Sequence, residues 1–310
     1  MEMEEILSEN NFKSGYVAIL GRPNVGKSTL LNSLLGTKVA IVTDRPQTTR
    51  HRIVGVKHLK NGQIVFLDTP GIHKEKFELN RYMNEVAFSV IPDTDVILFL
   101  IDARAGLTSA DRKILEKIGE EKRKETKVFV VINKIDGVPK EELLPLIEEI
   151  HREFPFVDEI IPISAAKGSN LDRLLDLIVE NLPEGPKYYE DNMITDMPLE
   201  QYVAEIIREK VMLLTSQEIP HAVTVNVVSI EPGDKNPDML VIDADIIVER
   251  PSQKAIIIGK NGQKLKKIGT LARQELEQIL GKKVYLRLWV KVKEDWRNRV
   301  DYLRRLGYGF

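Results

Sequence analysis

Residues Gly21–Ser28 read Gly-Arg-Pro-Asn-Val-Gly-Lys-Ser, a G-x-x-x-x-G-K-[ST] pattern whose meaning depends on its flanks. Upstream, Tyr16–Leu20 is a short apolar run of strand character, and downstream Lys27–Leu35 begins a helix. In that setting the glycines let the main chain wrap until its N–H groups face phosphate oxygens. The helix N-terminus adds its partial positive charge. Lys27 is then placed to reach the β and γ phosphates, and the Ser28 hydroxyl to ligate Mg²⁺. Gly21, Arg22, Pro23, Asn24, Val25, Gly26, Lys27, Ser28 and Thr29 form one candidate contact stretch.

Outward from this loop the chain alternates apolar strands with amphipathic helices, which predicts a mostly parallel α/β sheet. Further strands are expected at Arg52–Leu59, Gln63–Leu67, Val96–Ile101, Val128–Ile132 and Ile160–Ile163, and helices at Ser109–Gly119, Leu143–Phe154 and Leu171–Leu182. Asn61-Gly62 lies between two of the strands. Its tolerance of positive φ suits a tight hairpin turn, so one antiparallel pair is expected at the sheet edge.

Two more segments sit at predicted strand ends. Asp68-Thr69-Pro70-Gly71 supplies a carboxylate for Mg²⁺, directly or through water, and a Gly71 N–H for the γ-phosphate. Asn133-Lys134-Ile135-Asp136 supplies a base-reading loop. Asp136 can accept from both guanine N1–H and the exocyclic amine, whereas adenine offers no donor there. The Lys134 stem can lie along the base, and Asn133 can tie this loop to the phosphate loop. Gln47-Thr48-Thr49-Arg50 carries a threonine to complete the Mg²⁺ shell, with Thr49 favoured over Thr48. Ser164, Ala165 and Ala166 offer backbone N–H groups to guanine O6. These segments together specify GTP and GDP as ligands.

In this order the segments resemble the translation-factor-like GTPases, and G-R-P-N-V-G-K-S with D-T-P-G-I resembles the group holding Era, MnmE and EngA, over Phe12–Leu182. In Ras-type enzymes a water-orienting glutamine follows the D-x-x-G glycine. Here that residue is Ile72, whose side chain can neither donate nor accept. The catalytic set is therefore Lys27, Thr49, Gly71 and Asn24, and slow intrinsic turnover is expected. The resemblance implies that Asn24 can bind K⁺ beside the phosphates, doing the work of an arginine finger. Its alternative role is to stabilise the loop.

Pro183-Glu184-Gly185-Pro186 breaks the alternation. The expected division is a P-loop GTPase domain over 1–182, a linker over 183–196 and a second domain over 197–310. That second domain should run as helix Leu199–Thr215, strands His221–Ile230 and Met239–Glu249, a short helix Ser252–Ile258 and a long helix to Leu280. Strand Lys283–Val292 and a terminal helix Asp295–Leu306 should close it. Ile256-Ile257-Ile258-Gly259-Lys260-Asn261-Gly262 resembles the I-I-G-x-x-G core of a KH domain, and the element order resembles its α+β type II form. The expected RNA contacts are Ile257, Ile258, Gly259, Lys260, Asn261, Gly262, Lys264 and Lys267, around a groove for about four unpaired bases. Trp296, Val300 and Leu303 recur at helical spacing and are read as a packing stripe.

Charge agrees with an anionic partner. Residues 250–310 hold 16 Lys+Arg and 5 Asp+Glu, a balance of +11, while the remainder carries 29 basic and 42 acidic side chains, a balance of −13. With no cysteine, disulfides, thiolate metal sites and cysteine nucleophiles are excluded. Met1–Asn10 lacks the order of a signal peptide and no apolar run can span a bilayer, which points to a cytoplasmic protein.

One phosphate loop followed by one KH-like domain resembles the Era family. The resemblance implies a GTP-controlled monomer that binds single-stranded rRNA near the 3′ end of the small-subunit RNA and assists small ribosomal subunit assembly. GTP would favour RNA binding and hydrolysis release. A second reading is a regulatory GTPase with a peripheral membrane contact, its basic end on anionic lipid. A third makes the KH fold a protein-docking module.

Overall fold

The computed structural model describes residues 12–234 and 236–309, so Met1–Asn11, Lys235 and Phe310, including the Met1–Asn10 segment read above, lie outside the described residues. Strands β1 (Lys13–Gly21), β2 (Ile53–Leu59), β3 (Gly62–Asp68), β4 (Val96–Asp102), β5 (Lys127–Asn133) and β6 (Glu159–Pro162) form one sheet in the order β2-β3-β1-β4-β5-β6. Every neighbouring pair is parallel except β2–β3. The central strands are apolar on both faces, as burial between helix layers requires; Val17–Leu20, Val96–Ile101 and Val128–Ile132 are fully buried.

The connecting helices are α1 (Lys27–Leu35), α2 (Glu78–Ser89), α3 (Ser109–Glu121), α4 (Leu143–Glu153) and α5 (Leu171–Asn181). The loops after β1, β3, β5 and β6 all leave from carboxyl ends of parallel strands, where open α/β sheets bind ligands. The register brings Ile19 beside Asp68 and Asp102 beside Asn133.

The described residues divide into two units, one of 12–40, 49–74 and 83–196, the other of 41–48, 75–82, 197–234 and 236–309. In the second, α6 (Leu199–Leu214) and the single turn α7 (Ile219–Ala222) precede β7 (Thr224–Pro232) and β8 (Met239–Val248). Helices α8 (Pro251–Ile258) and α9 (Gln263–Leu280), strand β9 (Lys283–Val292) and α10 (Val300–Arg305) follow. The sheet order is β7-β8-β9, with β7–β8 antiparallel and β8–β9 parallel. Helices α6, α8 and α9 cover its inner face with Ile206, Ile207, Ile257, Ile268, Ala272 and Leu276. Within this unit buried Arg208 pairs with Glu205 and donates to the carbonyls of Gln47 and Thr48.

Several expectations differ in detail. The β2–β3 hairpin exists, but neither Asn61 nor Gly62 has positive φ. Gly62 is needed for room instead, since a Cβ there would lie 2.5 Å from the Lys13 carbonyl oxygen. Helix α2 was not among the expected elements, although Leu79, Tyr82, Met83, Val86 and Ala87 keep the apolar i, i+3, i+4 spacing and buried Asn80 and Asn84 lie beside them. The strand expected from His221 starts at Thr224, after the turn at Ile219–Ala222 that contains Pro220. The terminal helix is broken: a 3₁₀ turn at Trp296–Asn298 is separated from α10 by Arg299, with φ −97° and ψ 95°.

Residues 183–196, expected as a linker, lie within the first unit. Ser14 and Gly185 donate main-chain bonds that tie the segment to the start of β1, and the Gln63 carboxamide accepts from the backbone of Tyr188 and Tyr189. Gln63 is fully buried.

Candidate nucleotide and RNA sites

The phosphate loop has the backbone that its glycines predict. Gly21, Asn24 and Gly26 have φ of 147°, 62° and 102°. A Cβ on Gly21 would stand 2.6 Å from the Leu100 carbonyl oxygen, and one on Gly26 would stand 2.3 Å from Asn133 Nδ2. Lys27 Nζ donates to the carbonyls of Gly21 and Arg22, each at 3.0 Å, so the ammonium is folded under the loop. Burial lowers its pKa to about 8, against the pull of Asp68.

Beside the loop, Ser28, Thr49 and Asp68 converge. Ser28 Oγ lies 2.7 Å from Asp68 Oδ2 and 2.7 Å from Thr49 Oγ1. Thr48, by contrast, donates to the Arg45 carbonyl and meets Thr43. Asp68 is fully buried, and burial raises its pKa to about 6. Its second oxygen, Oδ1, is buried without a hydrogen-bond partner. A bare carboxylate oxygen flanked by two hydroxyls is a hard-oxygen donor set that fits Mg²⁺. Among the described residues no group of three His, Asp or Glu forms a metal cage.

Gly71 packs against the phosphate loop: a Cβ would lie 2.8 Å from Pro23 Cα. Thr69 Oγ1 anchors the preceding turn on the Ile19 carbonyl at 2.9 Å, and Pro70 is buried between them. Ile72 packs against the first unit's core, so its side chain supplies no polar group for water.

The base-reading loop is held by one carboxamide. Asn133 Nδ2 donates to the Val25 carbonyl at 2.8 Å while Asn133 Oδ1 accepts from the Ala165 N–H at 3.0 Å. Three loops distant in sequence are joined there. The Lys134 ammonium reaches the Asn24 carbonyl and, at 2.7 Å, Asp102. Asp136 is exposed and accepts from Ser164 Oγ at 2.6 Å. That bond is the main reason its carboxyl titrates below the ordinary aspartate value. The Ala165 amide is already given to Asn133, a correction to its expected role toward guanine O6; Ala166 is the exposed residue of the pair.

Arg22 differs from expectation in its side chain. Nε donates to Asp111 Oδ1 at 2.7 Å, which turns the guanidinium toward α3. Asp111 is fully buried and its other oxygen accepts from Thr108 in the capping box that starts α3.

In the second unit, Gly259-Lys260-Asn261-Gly262 joins α8 to α9. Gly259, Asn261 and Gly262 have φ of 71°, 51° and 75°. Lys260 and Asn261 are exposed, as is Lys267, and Lys264 is half-buried. Ile257 is fully buried, so it floors the core instead of facing a ligand, which corrects its place among the contacts. Ile258 is partly buried on the same core.

Beside the tetrapeptide a groove of about 480 Å³ opens between α9 and β9, with Gly262, Leu265, Gly269, Leu286 and Leu288 as its apolar lining and Lys266, Thr270, Arg273 and Tyr285 as its polar and aromatic rim. Trp296 is fully buried and donates to the Ala222 carbonyl at 2.9 Å; Leu303 is buried with it.

Family comparisons agree with both halves. Residues 16–134 match the 50S ribosome-binding GTPase family, and 218–297 match the KH domain family. GTPase Era of Aquifex aeolicus is 54% identical over 300 residues, which is 96% of this chain and 99% of that protein. The chain belongs to the Era family of GTPases.

Solved Era structures share the fold closely. Era in complex with MgGDPNP and nucleotides 1506–1542 of 16S ribosomal RNA superposes with a TM-score of 0.93 at 53% identity, covering 96% of this chain and all of that one. A variant of Aquifex aeolicus Era bound to GDP and AlF4⁻ gives 0.92 at 52%, with the same coverage. This Era-family chain is accordingly a GTPase with a P-loop domain and a KH domain.

Sequence reasoning missed the far wall of the groove. Gly269 carried the available signal: a glycine inside a helix is disfavoured by about 1 kcal/mol relative to alanine, so it marks a place where the helix surface is left bare. A Cβ there would meet Leu288 at 3.4 Å. Tyr285, Leu286 and Leu288 offered no such sign, because an alternating strand reads the same whether its edge is wet or occupied.

Proposed function

We propose that this Era-family GTPase hydrolyses GTP as a switch controlling its hold on single-stranded RNA at the 3′ end of small-subunit rRNA, in assembly of that subunit. The observation that carries this reading is the apolar groove beside an exposed Gly259–Gly262 loop, on a chain that also holds a complete guanine-reading set. A related Era binds MgGDPNP and nucleotides 1506–1542 of 16S rRNA, the same pair of ligand classes.

In the nucleotide site Ser28, Thr49 and Asp68 would hold Mg²⁺, which when bound neutralises phosphate charge as it develops. Lys27 swings from the loop carbonyls to the β and γ phosphates, and the Gly71 N–H meets the γ-phosphate. Asp136 reads the guanine donors and the Ala166 N–H serves O6. Asn24, at the lip of the loop, places K⁺ beside the phosphates where Ile72 leaves water unassisted. Turnover in K⁺ then exceeds that in Na⁺ at equal ionic strength; equal rates remove Asn24 from this role.

In the groove, Gly259 and Gly262 admit the sugar-phosphate backbone, Lys260, Lys264 and Lys267 meet phosphates, and Leu265, Leu286 and Leu288 floor the bases. The deciding experiment replaces Lys260 and Asn261 with Asp. Binding of the 16S 3′-terminal RNA is lost while GTP turnover holds; unchanged RNA affinity rejects the reading. No helix among the described residues is long and apolar enough to cross a membrane.

A further inference from the structure

Strand β9 alternates strictly. Val284, Leu286, Leu288 and Val290 face the core, while Tyr285, Arg287, Trp289 and Lys291 face outward. Tyr285 is 55% exposed and Trp289 61%, an unusual outlay of aromatic surface on a solvent face. β9 is also the edge of its sheet, so each ring has β8 on one side and, among the described residues, no strand on the other. Directly across on β8 stand Val241 opposite Tyr285 and Asp245 opposite Trp289.

The cations on either side of Trp289 on this face are paired. Arg287 pairs with Asp243, and Lys291 Nζ lies 2.7 Å from Asp245. The face therefore offers flat aromatic surface with its charge largely neutralised. Such a surface attracts the π-faces of unpaired bases more than it attracts phosphates.

Position supplies the occupant. Tyr285 lines the groove described above, and Trp289 follows on the same face about 13 Å along the strand. A strand of RNA leaving the groove at Tyr285 meets Trp289 next. The groove holds about four bases, whereas the RNA bound by a related Era runs from nucleotide 1506 to 1542. We infer that Tyr285 and Trp289 form a stacking platform on the outer face of β9, which takes unpaired bases of the same RNA beyond those in the groove. This inference rests on the RNA-binding reading above.

The chain's two tryptophans make it testable, because Trp289 is exposed and Trp296 is fully buried. With RNA of 16S nucleotides 1506–1542, emission from Trp289 is quenched and becomes shielded from acrylamide. Trp289→Ala weakens binding of that RNA by about 5- to 100-fold, Trp289→Phe retains most of the affinity, and Tyr285→Ala weakens it to a similar extent. The salt dependence of binding stays unchanged in Trp289→Ala, since no phosphate contact is lost. A fragment of about four nucleotides fitting the groove binds Trp289→Ala and the unmodified chain equally, and GTP turnover is the same in both.

Replacing Lys260 and Asn261 with Asp separates the two readings. If that change abolishes binding while Trp289→Ala leaves the long RNA's affinity and emission untouched, the platform is wrong and the groove stands. If the double change has no effect, the groove reading itself falls. A Trp289→Ala protein that alters only self-association also overturns the platform, because its occupant would then be a second copy.

Discussion

Arg22 Nε sits 2.7 Å from Asp111 Oδ1 and so fastens the phosphate loop to the first turn of α3. Asp111 is fully buried, while the Arg22 side chain is 23% exposed, so the pair is partly shielded from water. Asp111→Ala removes this tie together with the cap of α3 and is expected to destabilise the chain by about 2–3 kcal/mol. Thr108→Ala removes the cap alone, at about 1 kcal/mol. Denaturant unfolding measures both. Only Asp111→Ala should also raise KM for GTP, because only it frees the loop.

Asp136→Asn is expected to exchange guanine for xanthine. The carboxylate accepts from two guanine donors, and xanthine replaces one of those donors with a carbonyl that an amide N–H can meet. GTP affinity should fall by about 10³-fold or more, and XTP should restore turnover. Competition of the two nucleotides for the variant checks this; retained preference for GTP would take Asp136 out of base recognition.

The tetrapeptide glycines should fail for different reasons. At Gly262 a Cβ meets nothing within 4 Å, but φ is 75°, so Gly262→Ala costs about 1 kcal/mol of backbone strain. At Gly259 φ is 71° and a Cβ would also lie 2.8 Å from Lys264 Cβ. Gly259→Ala should therefore be the more damaging change, both to thermal stability and to RNA affinity. Asn261→Gly, at φ 51°, should be tolerated in folding.

Glu277 gives a pH dependence of definite sign. Its carboxylate accepts from the Val284 N–H at 3.1 Å and from Arg273, and the first of these is the main cause of a pKa below the ordinary 4.5. A carboxyl depressed on folding contributes stability that is fully present above its unfolded value and is lost as pH falls through the folded one. The Tm difference between the unmodified chain and Glu277→Gln should hold above about pH 5 and shrink as the solution is acidified below 4.5. A difference that is constant down to pH 3 would argue against this account.

Much of the nucleotide site was legible because its chemistry is local. Gly21–Ser28, Asp68–Gly71 and Asn133–Asp136 each carry their proposed role in a few adjacent residues at a strand end, and so does Gly259–Gly262 at a helix junction. What was not legible depends on partners far along the chain. Nothing near Arg22 announces Asp111, and nothing near Gln63 announces that its buried carboxamide holds the backbone at Tyr188 and Tyr189. Ile257 matched a motif and proved to be core, because a helix of three consecutive isoleucines does not say which one points inward.

Because the Asn133 carboxamide grips the Val25 carbonyl with one end and the Ala165 amide with the other, the pockets for base and phosphate cannot loosen independently. Dissociation of GDP should accordingly cross a single barrier and decay as one exponential. An exchange partner of this enzyme would need to pull at only one end of that amide to empty the whole site.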